Sequence, residues 1–170
     1  MAFFSSVSFH TLEDLFHHQL EDLYDAKKRL AAILPILVSA VSTRSLREIF
    51  GHHLVETENH ISQLEVIFAS LDRKPKRETC DAMKGLLTEM DEILDAKGDD
   101  NVRDAALIAA AQRIEHYEMA GYGTLRTFAR QLGHHEAADI FEKILAAEKK
   151  MNANLSEIAE SAVNVAAYCG

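Results

Sequence analysis

Apolar residues recur every three or four positions through four long stretches, the spacing of helices that bury one face. The first stretch covers about 11–41, with Thr11 placed as an N-cap and Glu13 and Asp14 in the first turn. Pro35 lies inside it and, having no backbone donor, is expected to kink or interrupt the helix. A second helix is expected over 45–71 after a break at 42–44, and RKPK, with Pro75, reads as a loop. A shorter helix over 80–96 ends at the turn-forming residues 97–101. The helix expected over 102–132 closes at Gly133, and a last one follows from His135 to about Val165.

Long–long–short–long–long describes two helical hairpins joined by a long connection that carries its own helix. This order predicts an all-α, ferritin-like four-helix bundle forming a single domain over 1–170. The abundance of Ala, Leu and Glu, with only 7 Gly and 2 Pro, agrees with a chain built from helix formers.

Tracing the seams changes the picture, because each long helix carries polar residues at its middle. On the fourth predicted helix, Ile108, Ala111, Glu115, Glu118, Tyr122, Leu125, Ala129 and Leu132 step by three and four without a fault. The fifth reads Phe141, Leu145, Glu148, Asn152, Leu155, Ala159 and Ala162. The first reads Phe16, Leu20, Leu23, Lys27, Leu30, Leu34 and Leu37, with Asp22 on its flank. The second has an apolar seam through Phe50, Leu54, Ile61, Leu64 and Phe68, and beside it a stripe of Ile49, His53, Glu56, His60, Gln63 and Ile67. Counted from the hairpin turns, these residues fall in two layers: Lys27, Glu56, Glu118 and Glu148, then Asp22, His60, Glu115 and Asn152. The layers lie about one helical turn apart, ~5 Å.

Buried carboxylates are costly unless paired, hydrogen-bonded or bound to metal. Asp22, Glu56, His60, Glu115, Glu118 and Glu148 are therefore the candidate metal ligands. A carboxylate-rich set with imidazole suits two iron or manganese ions better than zinc. The competing reading is a metal-free bundle in which Lys27 neutralises the core carboxylates. The roles of Glu89, His53 and His116 stay open, and neither a substrate nor a reaction is specified.

The net charge of −9 argues against a nucleic-acid partner, whose phosphates call for Lys and Arg. Cys80 and Cys169 fit no zinc or redox motif, which suits a reduced, cytoplasmic protein. The first ten residues do not read as a secretory leader, and no apolar run reaches the ~20 residues of a membrane span.

The segments DLYDAKKRL, HHLVETENH, AMKGLLTE, RDAALIAAAQRIEHYEMAGYGTL and LAAEKK carry a resemblance. From about 11 to 159 the chain resembles the YciF-type bacterial stress-protein family, a domain of unknown function with a ferritin-like fold. The resemblance implies five helices, a homodimer, similarity to rubrerythrin-type diiron proteins, and an association with stress or sporulation. Rubrerythrin-like proteins place a carboxylate on the first helix, Glu-x-x-His on the second, Glu-x-x-Glu on the third and Glu-x-x-His on the fourth. Asp22, Glu56, the pair Glu115 and Glu118, and Glu148 match these places. Three departures stand out: Asn59 where His is expected, with His60 one step late; Met151 and Asn152 after Glu148; and Lys27 where the family usually carries Glu.

Overall fold

A computed structural model describes residues 7–169, so the reading of the extreme N-terminus as leaderless falls mostly outside the described residues. Helix α1 spans Leu12–Ala40. It starts where expected because Thr11 and Asp14 form a capping box: the Thr11 hydroxyl accepts from the Asp14 amide and the Asp14 carboxylate accepts from the Thr11 amide. Pro35 does not interrupt it. Proline leaves the carbonyl four residues back without a donor. Pro35 is exposed and Ala31 only half-buried, so that carbonyl lies on a wet face, where water can satisfy it.

Helix α2 spans Arg44–Ser70, and its N-cap residue, Thr43, makes no side-chain cap. The cap comes from elsewhere in the chain. Asp104, fully buried, accepts hydrogen bonds from the Ser42 amide, the Ser42 hydroxyl and, at 2.7 Å, the Thr43 amide. A carboxylate at a helix N-terminus is favoured by the helix dipole. Helix α3 covers Asp81–Leu94, and α4 covers Asp100–Leu132 and ends at Gly133 with φ 83°, the left-handed conformation expected of a glycine there. Helix α5 runs over His135–Ile158, shorter than expected. A π-helical turn at Ala159–Val163 then leads into α6, Asn164–Cys169. That turn inserts one residue into the helical register. The expected inward Ala162 is therefore exposed, and Val163 is buried in its place.

Packing joins α1 to α2 and α4 to α5, and the two hairpins meet through α1 against α4 and α2 against α5. Asp104 at Ser42 sets the start of α4 level with the start of α2. His134, which precedes α5, lies 3.2 Å from Glu13 near the start of α1. All four neighbouring pairs are therefore antiparallel, and the 71–99 connection returns along the length of the bundle, the single-crossover connectivity of ferritin-type bundles. Helix α3 covers α1 and α4 from outside. Its approach is held by acids of α1: Glu21 pairs with Arg73 and Lys76, and Asp25 accepts from the Cys80 amide and from Arg77.

One contact between α1 and α4 depends on a missing side chain. A Cβ at Gly121 would stand 2.7 Å from a methyl of Leu23, itself buried and unable to swing clear, whereas one at Gly123 would meet nothing closer than 4.0 Å. Gly121→Ala is expected to destabilise by about 1–2 kcal/mol, overpacking outweighing the gain in helix propensity. Gly123→Ala is expected to be neutral or stabilising. Thermal melts of the two variants check this contrast, and equal melting temperatures would contradict it.

Candidate metal centre

Each long helix sends one or two ionisable side chains into the same stretch of the core. Lys27 comes from α1, His53 and His60 from α2, Glu115 and Glu118 from α4 and Glu148 from α5, all of them buried. The cause is periodicity: Glu115 and Glu118 lie one turn apart on an otherwise apolar seam, and Lys27 and Glu148 stand where leucine or alanine would continue theirs.

Lys27, 0 % exposed, lies at the middle of the cluster. Its Nζ donates to Glu118 Oε2 at 3.1 Å and lies 2.9 Å from Glu118 Oε1 and 2.6 Å from Glu148 Oε1. His60 Nδ1 lies 3.1 Å from the same Glu148 oxygen, and His53 Nε2 lies 3.1 Å from Glu115 Oε1. Apart from the Glu118 Oε2 bond, these are charge contacts without hydrogen-bond alignment. Both ring nitrogens of His53, Glu115 Oε2, Glu118 Oε1 and Glu148 Oε1 have no hydrogen-bond partner among the described residues. Orphaned buried polar atoms at this density are unusual in a folded protein.

Electrostatics divides the group. Burial pulls Lys27 toward its neutral form, but Glu118 and Glu148 outweigh it and hold the ammonium protonated. Burial likewise raises Glu148, yet Lys27 and then His60 prevail and keep its carboxyl far below the usual carboxylate range. Glu118 is pushed up to about 8 by burial, against the pull of Lys27. Glu115 is raised well above its ordinary value by burial and by the neighbouring Glu148. Burial, followed by Lys27, lowers His53, so its imidazole is neutral with a lone pair to donate. Without a metal, the cluster is one firm ion pair, Lys27 with Glu148, beside two carboxyls that favour their protons.

The residues expected from the sequence separate in the fold. Glu115, Glu118 and Glu148 come together, and His60 touches Glu148. Asp22 is placed elsewhere: its Oδ2 accepts from the Tyr117 hydroxyl at 2.6 Å, and that hydroxyl lies 3.0 Å from Cys80 Sγ, beneath α3. Glu56 is half-buried and lines a shallow polar cleft of about 250 Å³ between α2 and α5, with His52, Lys150 and Asn154. In its stead His53 enters the cluster. The inward seam of α2 runs Phe50, His53, Thr57, His60 and Leu64, so Glu56 falls one residue to the side. His53 and His60 are one heptad apart between buried Phe50 and Ile67, and that spacing was the available signal. Asn152 is taken up by Gln112, and His116 is exposed, bonded to its own helix at the Gln112 carbonyl. Glu89 is exposed on α3.

The donor set can hold a metal ion. One donor atom from each of His53, Glu115, Glu118 and Glu148 lies within 4.8 Å of all the others. One imidazole with three carboxylates is a first-row divalent donor set. Glu118 and one oxygen of Glu148 also surround Lys27 Nζ, so the ammonium shares two of the four donor residues.

Fold and site together define an all-α bundle protein with an ionisable core and a candidate metal centre. The profile of a family described as a domain of unknown function (DUF892) matches residues 11–168. Protein YciF of Escherichia coli (strain K12) is 43% identical over 155 residues, 91% of this chain and 93% of that one. The crystal structure of the E. coli stress protein YciF aligns with a TM-score of 0.88, covering 92% of this chain and 99% of that chain. YcfI of Rhodopseudomonas palustris aligns at 0.86 with 38% identity, over 90% of this chain and 98% of that chain. A Xanthomonas campestris protein of 22% identity shares the fold at a TM-score of 0.73. The chain belongs to the DUF892 family, that of the YciF-type proteins. Among the described residues no helix is long and apolar enough to cross a membrane, and both cysteines, Cys80 buried and Cys169 exposed, are free.

Proposed function

We propose that this protein is a ferritin-like stress-response metalloprotein that holds a single divalent ion, iron or manganese, with Lys27 serving as the counter-charge that a second ion would supply in a dinuclear centre. The observation that carries this reading is His53: a neutral, fully enclosed imidazole with neither nitrogen bonded, set against three buried carboxylates. Charge supports the stoichiometry. Three ionised carboxylates and one ammonium leave −3 + 1 = −2, which one divalent ion cancels. His53, Glu115, Glu118 and Glu148 would hold the ion, with His60 steadying Glu148 from the second helix. Bound iron or manganese supplies one-electron chemistry toward dioxygen or peroxide. The surrounding residues exclude water and fix the donors, and Glu115 and Glu118 take up or release protons as the ion leaves or binds. The same reading keeps the cytoplasmic homodimer expected from the sequence. Val55 and Val66, exposed along one stripe of α2, are apolar positions suited to a second copy.

Titration of the metal-free protein with Fe²⁺ under anaerobic conditions, or with Mn²⁺, is expected to saturate at one ion per chain. Saturation at two restores the dinuclear reading. No binding at any supply leaves a metal-free bundle in which Lys27 neutralises the core carboxylates, an alternative favoured by its contacts with Glu118 and Glu148. His53→Leu separates the cases further. Because His53 makes no hydrogen bond, its removal is expected to leave the metal-free protein as stable as before or more so, since an unsatisfied buried polar group is lost. Metal binding is expected to fall by more than about tenfold, since losing even an outer-shell partner of a metal ligand typically costs about 10–100-fold.

A further inference from the structure

We infer that the small void beside the cluster seats one ordered water, bridging His53 Nδ1–H and Glu115 Oε2. The water accepts from the imidazole and donates to the carboxyl, and it thereby fixes His53 with the Nε2 lone pair toward the other carboxylates. Its place follows from geometry; its consequence for an ion rests on the metal-centre reading. The void, about 10 Å³, is walled by Leu34 of α1, Phe50 of α2, Met90 of α3, and Ala111 and Ile114 of α4, all buried. His53, 3 % exposed, and Glu115, 1 % exposed, are the polar side chains of the wall. Ring nitrogen Nε2 already faces Glu115 Oε1 at 3.1 Å. That leaves Nδ1 and Glu115 Oε2, both enclosed and without a hydrogen-bond partner among the described residues.

Size and lining both select water. A site for one water needs about 10–15 Å³ of accessible volume, and buried waters make roughly two to four hydrogen bonds. One donor and one acceptor on the same side of the void meet the lower end of that range. Hydrocarbon on the other sides offers the molecule no competing partner. A neutral imidazole carries one N–H and one lone pair, and the bond made at one nitrogen decides the state of the other. A water at Nδ1 takes up the N–H, which a dry wall would leave buried and unsatisfied at a greater cost. Nε2 keeps no partner in the metal-free chain, so it remains the nitrogen free for an ion. Glu115, Glu118 and Glu148 each bring a donor atom within 4.8 Å of His53. Histidines that hold metals ordinarily give their second nitrogen such an outer partner. Helix α3 thereby acquires a part in the site, because Met90 closes the void on its side.

The test uses the full chain, first without metal, and NMR. Magnetisation transfer from water is expected at the methyls of Met90 and Ile114 and not at those of Leu64 and Leu155, which are equally buried but outside the wall of the void. Long-range couplings in protein carrying labelled imidazole nitrogen are expected to show His53 as the Nδ1–H tautomer. Ala111→Val fills the space. It is expected to remove one long-lived water from the oxygen-17 relaxation profile, to leave both tautomers populated, and to weaken Mn²⁺ binding by about 10–100-fold, the scale of a lost outer partner. Ala111→Ser places a hydroxyl in the void and is expected to keep the tautomer and the affinity, which a merely structural effect at this position would not do. No transfer at Met90 and Ile114, or an Nε2–H tautomer in the unaltered chain, would overturn the proposal whether or not the Ala111 variants fold. A chain that shows the water and the Nδ1–H tautomer but takes up no Mn²⁺ overturns the metal reading and leaves the water site standing. A chain that takes up Mn²⁺ beside a dry void does the reverse.

Discussion

Lys27→Met is expected to destabilise the metal-free protein at neutral pH by about 3–5 kcal/mol, the cost of removing one partner from a buried ion pair. For a chain of this size that corresponds to a fall in Tm of very roughly 6–20 °C. Methionine keeps the length and apolar body of the stem, so packing survives and the change isolates the charge. Glu148 loses the ammonium 2.6 Å away that holds it ionised, and Glu118 loses its one aligned hydrogen bond. Iron or manganese is expected to reverse the loss, because the cluster then carries an uncancelled excess of carboxylate, and ion affinity is expected to rise above that of the unaltered protein. Lys27→Glu extends the same logic to stoichiometry. A fourth carboxylate where the ammonium stands is expected to raise saturation from one ion to two. If Lys27→Met melts with the unaltered protein, both with and without metal, the ammonium is not the counter-charge and the single-ion reading falls with it.

How far the sequence revealed this arrangement depended on what each inference required. Helices and their order follow from local periodicity and caps, so Thr11, the 71–80 connection and Gly133 were legible. Glu115, Glu118 and Glu148 were legible as inward residues for the same reason, since an unbroken seam fixes direction without knowledge of the partner helix. Helix α2 was harder, because apolar and polar residues share two adjacent stripes one residue apart. Choosing between Glu56 and His53 needs the rotation of the helix, which is set by its contacts with α1 and α5. Asp22 illustrates a different limit. Its inward tilt was read correctly enough to find a polar partner, but that partner is Tyr117 on the flank of α4, with Cys80 beyond it, and neither lies on a seam. Asp104 was overlooked because its role is to cap a helix 61 residues earlier in the chain, at Thr43, and no local pattern reports that. The departure at Ala162 has the same character: a π-helical turn shifts the register by one residue and leaves no mark in the 3.6-residue pattern before it.

Above pH 6.5 the metal-free protein is expected to lose stability as the pH rises toward 8, and bound metal is expected to reverse that slope. Burial places Glu118 at about 8 and Glu115 well above its ordinary value. In this window the folded chain keeps protons that the unfolded chain has released, so stability falls with pH. Each such carboxyl costs up to about 1.4 kcal/mol per pH unit, or roughly 3–5 °C in Tm. Glu148, Lys27 and His53 do not disturb the window. Glu148, held low by Lys27 and His60 against burial, stabilises above its unfolded value and loses that contribution only in acid. Lys27, held high, contributes throughout and loses its effect only in strong alkali. His53 is depressed below its ordinary 6.5 and gives the opposite slope beneath that value, which is why the measurement belongs above it. An incoming ion must displace the protons on Glu115 and Glu118, so about two protons should be released per ion, and affinity should climb steeply with pH. Calorimetry in two buffers of different ionisation enthalpy counts those protons. Glu118→Gln, fixed in a neutral form, is expected to flatten part of the metal-free slope and to raise stability at pH 8 while weakening the ion. A metal-free protein whose Tm is constant from pH 6.5 to 8 would mean that the two carboxyls are already ionised, and the cluster would then need a cation other than Lys27 even in the absence of added metal.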